Sequence, residues 1–218
     1  MRKLTVNTFL TLDGVMQAPG GPDEDRAGGF QHGGWSVGYW DDKMGQVMTA
    51  FMGLPFDLLL GRKTYEIFAA HWPHSTDPGA DVLNSARKHV ASRTLRRVDW
   101  NNSTLITGDV AKYVAELKRS NGPEIQVHGS GDLIQTLLKN DLVDAFHIWT
   151  FPVVIGSGKK LFADGTIPAG LKVTDVQTSS TGVVMTTYER AGEIKYGSFA
   201  LPEPSEAEVE RRQKVGSS

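Results

Sequence analysis

Two strand-to-helix junctions carry residues suited to binding phosphate. The first is Gly61-Arg62-Lys63-Thr64, which follows the apolar run FDLLLG (56–61) and precedes apolar residues at helical spacing. Two cations at the positive end of a helix dipole are unfavourable by about 0.3–1 kcal/mol per charge unless an anion binds there. Because free backbone N–H groups also point out of a helix N-terminus, a bound phosphate would reverse that effect. The alternative is that both cations only reach solvent.

The second junction is VHGSGD (127–132), in which Gly129, Ser130 and Gly131 form the turn. Glycines let the backbone approach a diphosphate closely, and their N–H groups can donate to it. The segment is not a complete G-x-G-x-x-G motif, because Ile134 stands at the third glycine position, and a simple tight turn is an equal alternative. Two such helix starts on neighbouring parallel strands would be a stronger indication than either alone.

Two further segments follow predicted strands. Ser92 and Arg93 place a hydroxyl beside a cation, which suits the 2′-phosphate of NADP, although a solvated loop arginine is the commoner alternative. The segment PVVIGSGKK (152–160) contains Gly156 and Gly158. These glycines can let the backbone approach a ligand, or they can simply form a turn.

Carboxylates stand at both ends of a Gly-, Pro- and Asp-rich stretch, residues 13–38, which we expect to be a lid. Reducing a C=N bond needs a hydride, which a nicotinamide cofactor supplies, and a proton, which a carboxylate or water relays. Asp13 and Asp42 are the candidates for this proton delivery. Asp13 precedes Gly14 and Asp42 lies near a helix start, so a turn and a cap are the structural alternatives.

A serine hydrolase is a minor alternative. GWSVG (34–38) matches the G-x-S-x-G pattern, but that motif needs a strand directly before it. The preceding FQHGG does not resemble a strand, so a nucleophilic Ser36 has little support.

The histidines do not indicate a metal. His71 and His74 are separated by Pro73, with no carboxylate at ligand spacing, and we predict no metal site. His128 and His147 lie in apolar strands and are expected to be core groups with hydrogen-bond partners.

Composition excludes several classes of protein. The 218 residues include 23 Lys and Arg, 25 Asp and Glu and no Cys, for a net charge of −2. Without Cys there is no disulfide scaffold, thiolate zinc site or cysteine nucleophile. The charge gives no electrostatic case for nucleic acid as the main partner. No apolar run approaches the roughly 18 residues of a membrane span, and the N-terminus lacks a secretory pattern, so we expect a cytoplasmic protein without a membrane partner.

Strands and helices alternate along most of the chain, which predicts an α/β fold with one mostly parallel sheet and helices on both faces. The last three predicted strands, at 143–151, 171–177 and 183–189, have no helices between them and indicate an antiparallel C-terminal edge. Residues 1–190 would form one domain. Residues 191–218 would form a charged appendage, a solvated helix or alternatively a dimer contact.

Five segments together resemble the dihydrofolate-reductase-like superfamily: FLTLDGVM, LLLGRKTYEIFAAHWP, VASRTL, VHGSGDLIQTLLKNDLVD and FPVVIGSGKKLF. The most similar branch is that of stand-alone relatives of the reductase domain in the bifunctional riboflavin-biosynthesis deaminase-reductase. The resemblance covers about Leu4 to Glu189. It implies an eight-stranded, mostly parallel sheet, NADPH as cofactor and a homodimer.

The resemblance also implies roles for the same residues. The cofactor phosphates would contact Gly61, Arg62, Lys63 and Thr64. The adenosine 2′-phosphate would lie near Ser92 and Arg93. The diphosphate would lie on Gly129, Ser130 and Gly131. The nicotinamide cleft would be bordered by Asp13, Gly14, Gly156 and Gly158.

The chain departs from dihydrofolate reductases in one respect. Those enzymes carry a carboxylate on the first long helix that protonates the pterin, whereas WDDKMGQVMTAFM (40–52) has no acid in its interior. We therefore expect an NADPH-dependent reductase of a planar nitrogen heterocycle, either like a phosphorylated ribosylaminopyrimidinedione or like a pterin. A non-catalytic nucleotide-binding module is the alternative. The lid aromatics Trp35, Tyr39 and Trp40 would stack on the heterocycle or pack the lid down.

Overall fold

The strands that alternate with helices in the sequence pair into one eight-stranded sheet. The computed structural model describes residues 1–77 and 79–215. The strands are β1 (Leu4–Thr11), β2 (Phe56–Gly61), β3 (Arg87–Ala91), β4 (Ser103–Ile106), β5 (Glu124–His128), β6 (Ala145–Phe151), β7 (Gly170–Thr178) and β8 (Val184–Gly192). Their order in the sheet is β4-β3-β2-β5-β1-β6-β8-β7. The pairs from β4 to β6 are parallel, and β8 pairs antiparallel with β6 and β7. The predicted sheet and its antiparallel edge are confirmed.

Six α-helices are described: α1 (Asp42–Met52), α2 (Arg62–His71), α3 (Ala80–Ser85), α4 (Val110–Arg119), α5 (Gly131–Lys139) and α6 (Glu206–Val215). Asp41 and Asp109 cap α1 and α4, with side chains that accept hydrogen bonds from the N–H groups of Met44 and Lys112. The sequence did not predict α3, because its six residues are too few to show a helical period.

Helices cover both faces of the sheet. On one face, α4 and α5 pack on alternate residues of β1, with Val114 and Leu137 against Leu4 and Val6. On the other, Met44 of α1 packs against Phe151, while α2 and α3 form a separate core with β2. Because β1, β2 and β5 are buried on both sides, the carboxyl ends of the strands are the place where loops can form a site.

The C-terminal segment adds little to this core. β8 ends at Gly192, close to the boundary expected at 190, and no helix or strand is assigned from there to the start of α6. Every residue of α6 is exposed except Glu208, which is partly buried and whose carboxylate forms ion pairs with Arg211 and Arg212. On this chain α6 is therefore exposed to solvent, and residues 216–218 of the expected appendage lie outside the described residues.

Candidate active site

The sheet places the predicted binding segments along one edge. β3, β2, β5 and β1 are consecutive parallel neighbours, so their carboxyl ends lie side by side. Ser92 follows β3, Arg62 follows β2, Gly129 follows β5 and Asp13 comes shortly after β1. The expectation that the two phosphate-type junctions lie on neighbouring parallel strands is confirmed by the pairing of β2 with β5.

Hydrogen bonds join these two junctions directly. The N–H of Gly61 donates to Ser130 Oγ at 3.0 Å, and the N–H of Ser130 donates to Thr64 Oγ1 at 3.1 Å. Gly129 and Ser130 have φ of +53° and +62°, in the left-handed region. A Cβ on Gly129 would lie 3.3 Å from Thr64 Oγ1. The turn is therefore fitted closely against the start of α2, and both helices begin at the same point on the sheet edge.

The N-termini of α2 and α5 differ from those of α1 and α4. No side chain caps α2 at Gly61 or α5 at Ser130, whereas Asp41 and Asp109 cap the other two. The first-turn N–H groups of α2 and α5 therefore lack the acceptor that a capping side chain supplies. Such groups, with the positive ends of two helix dipoles, favour a bound anion.

Arg62 reaches toward the segment after β3. Its Nη1 donates to Thr94 Oγ1 at 3.0 Å, and Ser92 Oγ accepts from the N–H groups of Thr94 and Leu95 at 3.1 and 2.9 Å. The Arg62 and Arg93 residues are both exposed. The segment after β3 is thus an ordered turn that contains one exposed arginine, Arg93, and accepts a hydrogen bond from a second, Arg62.

A single lid carboxylate, Asp25, connects the lid to two other parts of the site. Asp25 forms an ion pair with Lys159, and its Oδ1 lies 3.8 Å from Lys63 Nζ at the start of α2. Burial opposes ionisation, but the hydrogen bond from Lys159 and the two cations lower the pKa of Asp25 below its ordinary value. Gln17 donates to the carbonyl oxygens of Asp25 and Ala27, and it accepts from the N–H of Lys159. These contacts hold the lid against the 156–160 segment.

A cavity of about 410 Å³ lies between the lid and this segment, lined by Gln17, residues 27–32 and residues 157–159. Gly158 is needed here for packing, since a Cβ would lie 2.7 Å from Val15 Cγ1 and 3.1 Å from the Phe30 ring. The residues that lie close to Gly158 therefore belong to the lid. Gly156, with φ +89°, forms the turn before it. A larger depression of about 720 Å³ lies at the opposite end of β2 to β4, away from the predicted binding segments.

Asp13 makes a set of hydrogen bonds that suits a positioning role. It accepts from Thr11 Oγ1 at 2.6 Å and from the N–H groups of Ile155 and Gly156 at 3.2 and 2.7 Å. The Thr11 bond foremost, with the two backbone bonds, lowers the pKa of Asp13 to about 2. The carboxylate is therefore ionised at neutral pH and joins the end of β1 to the 155–156 backbone.

Asp42 is the exposed first residue of α1, next to the capping Asp41, whose other oxygen accepts from Ser180. A role for Asp13 or Asp42 in proton delivery stays a prediction.

The lid aromatics pack the lid onto the sheet. Trp35 Nε1 donates to the Gln17 carbonyl at 2.8 Å, and the Trp35 and Tyr39 rings meet Phe151 edge-on. Trp40 lies 5.8 Å from Trp149 between ring centroids. Of the two alternatives, packing is the one that the structure supports.

Ser36 is unsuited to nucleophilic attack. Its hydroxyl donates to the Pro19 carbonyl at 2.8 Å, and the residue is 4% exposed within the lid. Residues 30–34 form no strand, so the strand that a hydrolase nucleophile motif requires before it is absent from this part of the described chain.

Three polar residues that the sequence analysis did not combine lie side by side on the sheet. Asn7 pairs in register with His128 of β5 and with His147 of β6. In-register residues of parallel strands point to the same face. The Phe51 ring of α1 covers this face, with centroids 4.8 Å from His147 and 6.4 Å from His128. We call Asn7, His128 and His147 the polar row. Polar residues on strands buried on both faces are the sequence feature that could have drawn attention to them.

Within 1–77 and 79–215, no three His, Asp or Glu side chains group closely enough to hold a metal ion. Over the same residues, no helix has the length and apolar character needed to cross a membrane.

Sheet order, parallel pairing and the two joined junctions define this protein as one of the dihydrofolate-reductase-like fold. The chain matches the RibD C-terminal domain family over residues 2–185 and belongs to that family. YyaP of Bacillus subtilis (strain 168), an uncharacterized protein, is 30% identical over 196 residues, which are 88% of this chain and 96% of YyaP.

Solved structures share the fold at lower identity. A protein of Shewanella sp. PV-4, provisionally assigned to riboflavin biosynthesis, has a TM-score of 0.66 and 23% identity, covering 86% of this chain and 98% of its own. A pyrimidine reductase-like protein of Corynebacterium diphtheriae has a TM-score of 0.61 and 11% identity, with coverage of 88% and 93%. Dihydrofolate reductase of Enterococcus faecalis, complexed with NADP(H), has a TM-score of 0.53 and 12% identity, with coverage of 87% and 96%. These neighbours show the shared fold, and membership of the RibD C-terminal domain family indicates an oxidoreductase of the reductase type.

Proposed function

We propose that this protein is an NADPH-dependent reductase that transfers hydride to a planar nitrogen heterocycle. The observation that carries the proposal is the pair of uncapped helix N-termini, α2 and α5, joined through Ser130 and flanked by Arg62 and Lys63. Arg62 and Lys63 have carboxylate partners only at the long distances of 3.9 Å (Glu66) and 3.8 Å (Asp25), so a bound phosphate would further stabilise these cations at the positive end of the helix.

The described residues fit such a cofactor. The N–H of Gly131 and the first-turn N–H groups of α5 and α2 would hold the diphosphate, because no side chain caps either helix. The Gly129 and Ser130 N–H groups donate to the Asn7 carbonyl and Thr64 Oγ1, so these two residues would shape the turn. Arg62, Ser92 and Arg93 would hold the adenosine 2′-phosphate, since guanidinium groups bind phosphate oxygens well. When bound, the cofactor supplies the hydride.

The chain's own residues prepare the site for that transfer. The lid, held by Asp25, Gln17 and Trp35, would exclude water from the strand edge. Asp13 keeps the 155–156 backbone in place as an ionised carboxylate. Asp42, on the exposed start of α1, remains the candidate for relaying a proton through water. We further expect a homodimer, which the family resemblance implies, and a cytoplasmic location.

Thermal unfolding with NADPH, with NADH and without ligand tests the cofactor. A ligand at about 100 times its dissociation constant stabilises by about 2.7 kcal/mol, which is roughly 5–10 °C for a chain of this length. We expect a larger shift with NADPH than with NADH, and a loss of the difference in Arg62→Ala. Arg119→Ala, an exposed arginine at the end of α4, is the control and should keep the full shift.

The results separate three cases. A shift with neither cofactor would reject the proposal. A shift without NADPH oxidation in the presence of any pteridine or pyrimidinedione would favour the non-catalytic nucleotide-binding module. A shift with oxidation would support the reductase.

A further inference from the structure

The polar row contains a buried acceptor without a partner. Asn7 is 9% exposed, and its Oδ1 has no hydrogen-bond partner, while its Nδ2 makes only a long 3.4 Å bond to the Thr5 carbonyl. Buried side-chain polar atoms are in large majority hydrogen-bonded. The neighbouring His128 and His147 are only partly buried, as is Phe51 above them, so this part of the face is not sealed inside the core. The free oxygen therefore points to a donor supplied by a ligand.

The proton positions in the row can be assigned from its partners. His128 Nε2 lies 3.0 Å from Gln126 Oε1, and the Gln126 amide nitrogen faces Glu124 at 3.5 Å. Because an amide oxygen only accepts, Nε2 carries the proton and Nδ1 of His128 is left as an acceptor. His147 uses Nδ1 in a 3.1 Å hydrogen bond with Thr187 Oγ1.

Both imidazoles are neutral at neutral pH. Burial is the main cause that lowers the pKa of His128 and of His147 to about 4. Lys3 lowers the pKa of His147 further, and Asp175 opposes this. The row thus offers acceptors, none of which is a carboxylate, and α1 above it has no acid between Lys43 and Met52.

We propose, on the basis of the reductase function above, that the polar row is the specificity determinant for the substrate ring. It would select an uncharged planar heterocycle whose ring N–H groups donate to Asn7 Oδ1 and His128 Nδ1. A protonated diamino ring needs a carboxylate partner, which the row does not contain. His128 directly precedes Gly129 of the turn assigned to the cofactor diphosphate, so the row and the proposed cofactor site share the carboxyl end of β5.

Two pteridines with the same bicyclic frame test this selection. Lumazine, a dioxopteridine, presents ring N–H groups, and the matching diaminopteridine is basic. Binding of each to the full chain at neutral pH, followed by calorimetry and by lumazine fluorescence, should favour lumazine by about ten-fold or more. Asn7→Leu should weaken lumazine by about ten-fold or more, whereas Asn121→Leu, an exposed asparagine before β5, should not change it.

Asn7→Asp provides a second variant of the same size. It places a carboxylate between the two imidazoles and should reverse the order of the two pteridines. His128→Gln, which keeps a neutral acceptor, should retain more lumazine affinity than His128→Leu. Equal affinities for both pteridines, binding of neither, or unchanged selectivity in Asn7→Leu and Asn7→Asp would overturn the proposal.

The NADPH-induced thermal shift separates this result from the cofactor assignment. A normal shift without pteridine selectivity rejects the role of the row and leaves the cofactor site intact. Pteridine selectivity that depends on Asn7, without any NADPH shift, supports the row and rejects the cofactor.

Discussion

Replacing Gly129 with alanine tests whether the turn after β5 serves a cofactor or only the fold. Gly129 has φ +53°, and a Cβ there would lie 3.3 Å from Thr64 Oγ1 and 3.6 Å from Thr64 Cγ2. The left-handed conformation costs a non-glycine residue roughly 1–2 kcal/mol. The lower entropy of alanine in the unfolded chain offsets about 0.4–1 kcal/mol of this. We expect a net loss of about 1 kcal/mol, a fall in Tm of roughly 2–4 °C.

Gly108→Ala is the matched control. Gly108 has φ +93° with no heavy atom within 4 Å of a built Cβ, and it lies just before the capping residue of α4. It should lose at least as much stability, because φ +93° lies further than φ +53° from the left-handed region that alanine can adopt. Only the Gly129 variant presses on Thr64, whose hydroxyl accepts from the Ser130 N–H and so joins the two junctions.

The assay is calorimetric NADPH binding, with Tm measured on the same samples. We expect Gly129→Ala to weaken NADPH by about ten-fold or more, the equivalent of one displaced hydrogen bond to a charged group, and Gly108→Ala to bind as the unchanged protein does. If both variants bind NADPH equally well despite their losses of Tm, the turn serves only the fold and the reasoning about the joined junctions is refuted.

Three further predictions concern stability. Asp13→Asn should reduce the loss of stability at acid pH. The folded state lowers the pKa of Asp13 from 3.8 to about 2, so the free energy of unfolding of the unchanged protein falls as pH falls through that range. If urea unfolding gave the same dependence of this free energy on pH for both proteins, the prediction would be contradicted. His128→Gln should change the pH dependence of stability at higher pH than Asp13→Asn does. The pKa of His128 falls from 6.5 to about 4 on folding, so the unfolded chain takes up the proton first as pH falls. Between these two pH values the unchanged protein should therefore lose more stability than the variant. Lys88→Met should lower the free energy of unfolding by about 2 kcal/mol, because the buried Nζ donates to three carbonyl oxygens, and losing these bonds outweighs the removal of a buried charge. The exposed Lys139→Met should be near neutral in the same denaturation series, and an equal effect of both would show that the three bonds contribute nothing.

The two junctions could be predicted because their pattern is local. Gly61-Arg62-Lys63 and Gly129-Ser130-Gly131 each lie between an apolar strand and a helical stripe, and turn residues act through their own backbone conformation. The alternation of strands and helices also predicted the parallel sheet correctly. What the spacing could not show is the cross-contact between the junctions, since Ser130 Oγ and the Gly61 N–H are 69 residues apart along the chain.

The polar row shows where sequence reasoning stops. Asn7, His128 and His147 meet only because β1 lies between β5 and β6 in a fixed register. A shift of one residue would turn any one of them to the opposite face. The expectation that both histidines have hydrogen-bond partners is confirmed for one nitrogen of each ring, through Gln126 and Thr187. The contact that we propose for the ligand uses the second nitrogen of His128, Nδ1, and only the three-dimensional arrangement shows that the bond with Gln126 leaves this nitrogen available.

Ile134 explains how an incomplete glycine motif still forms an ordered turn. In the dinucleotide-binding fingerprint, the third glycine lets the helix pack closely on the strand. Here Ile134 is fully buried in the core that includes Leu4 and Val127, so a large side chain fills the space between α5 and the sheet. Backbone packing therefore cannot fix the start of α5. The hydrogen bonds from Gly61 to Ser130 and from Ser130 to Thr64 perform that task, and they tie the turn to α2. Because the second glycine position still has no Cβ to shield its N–H, the loss of the third glycine changes how the helix is anchored, while the uncapped N-terminus that we propose as an anion site is kept.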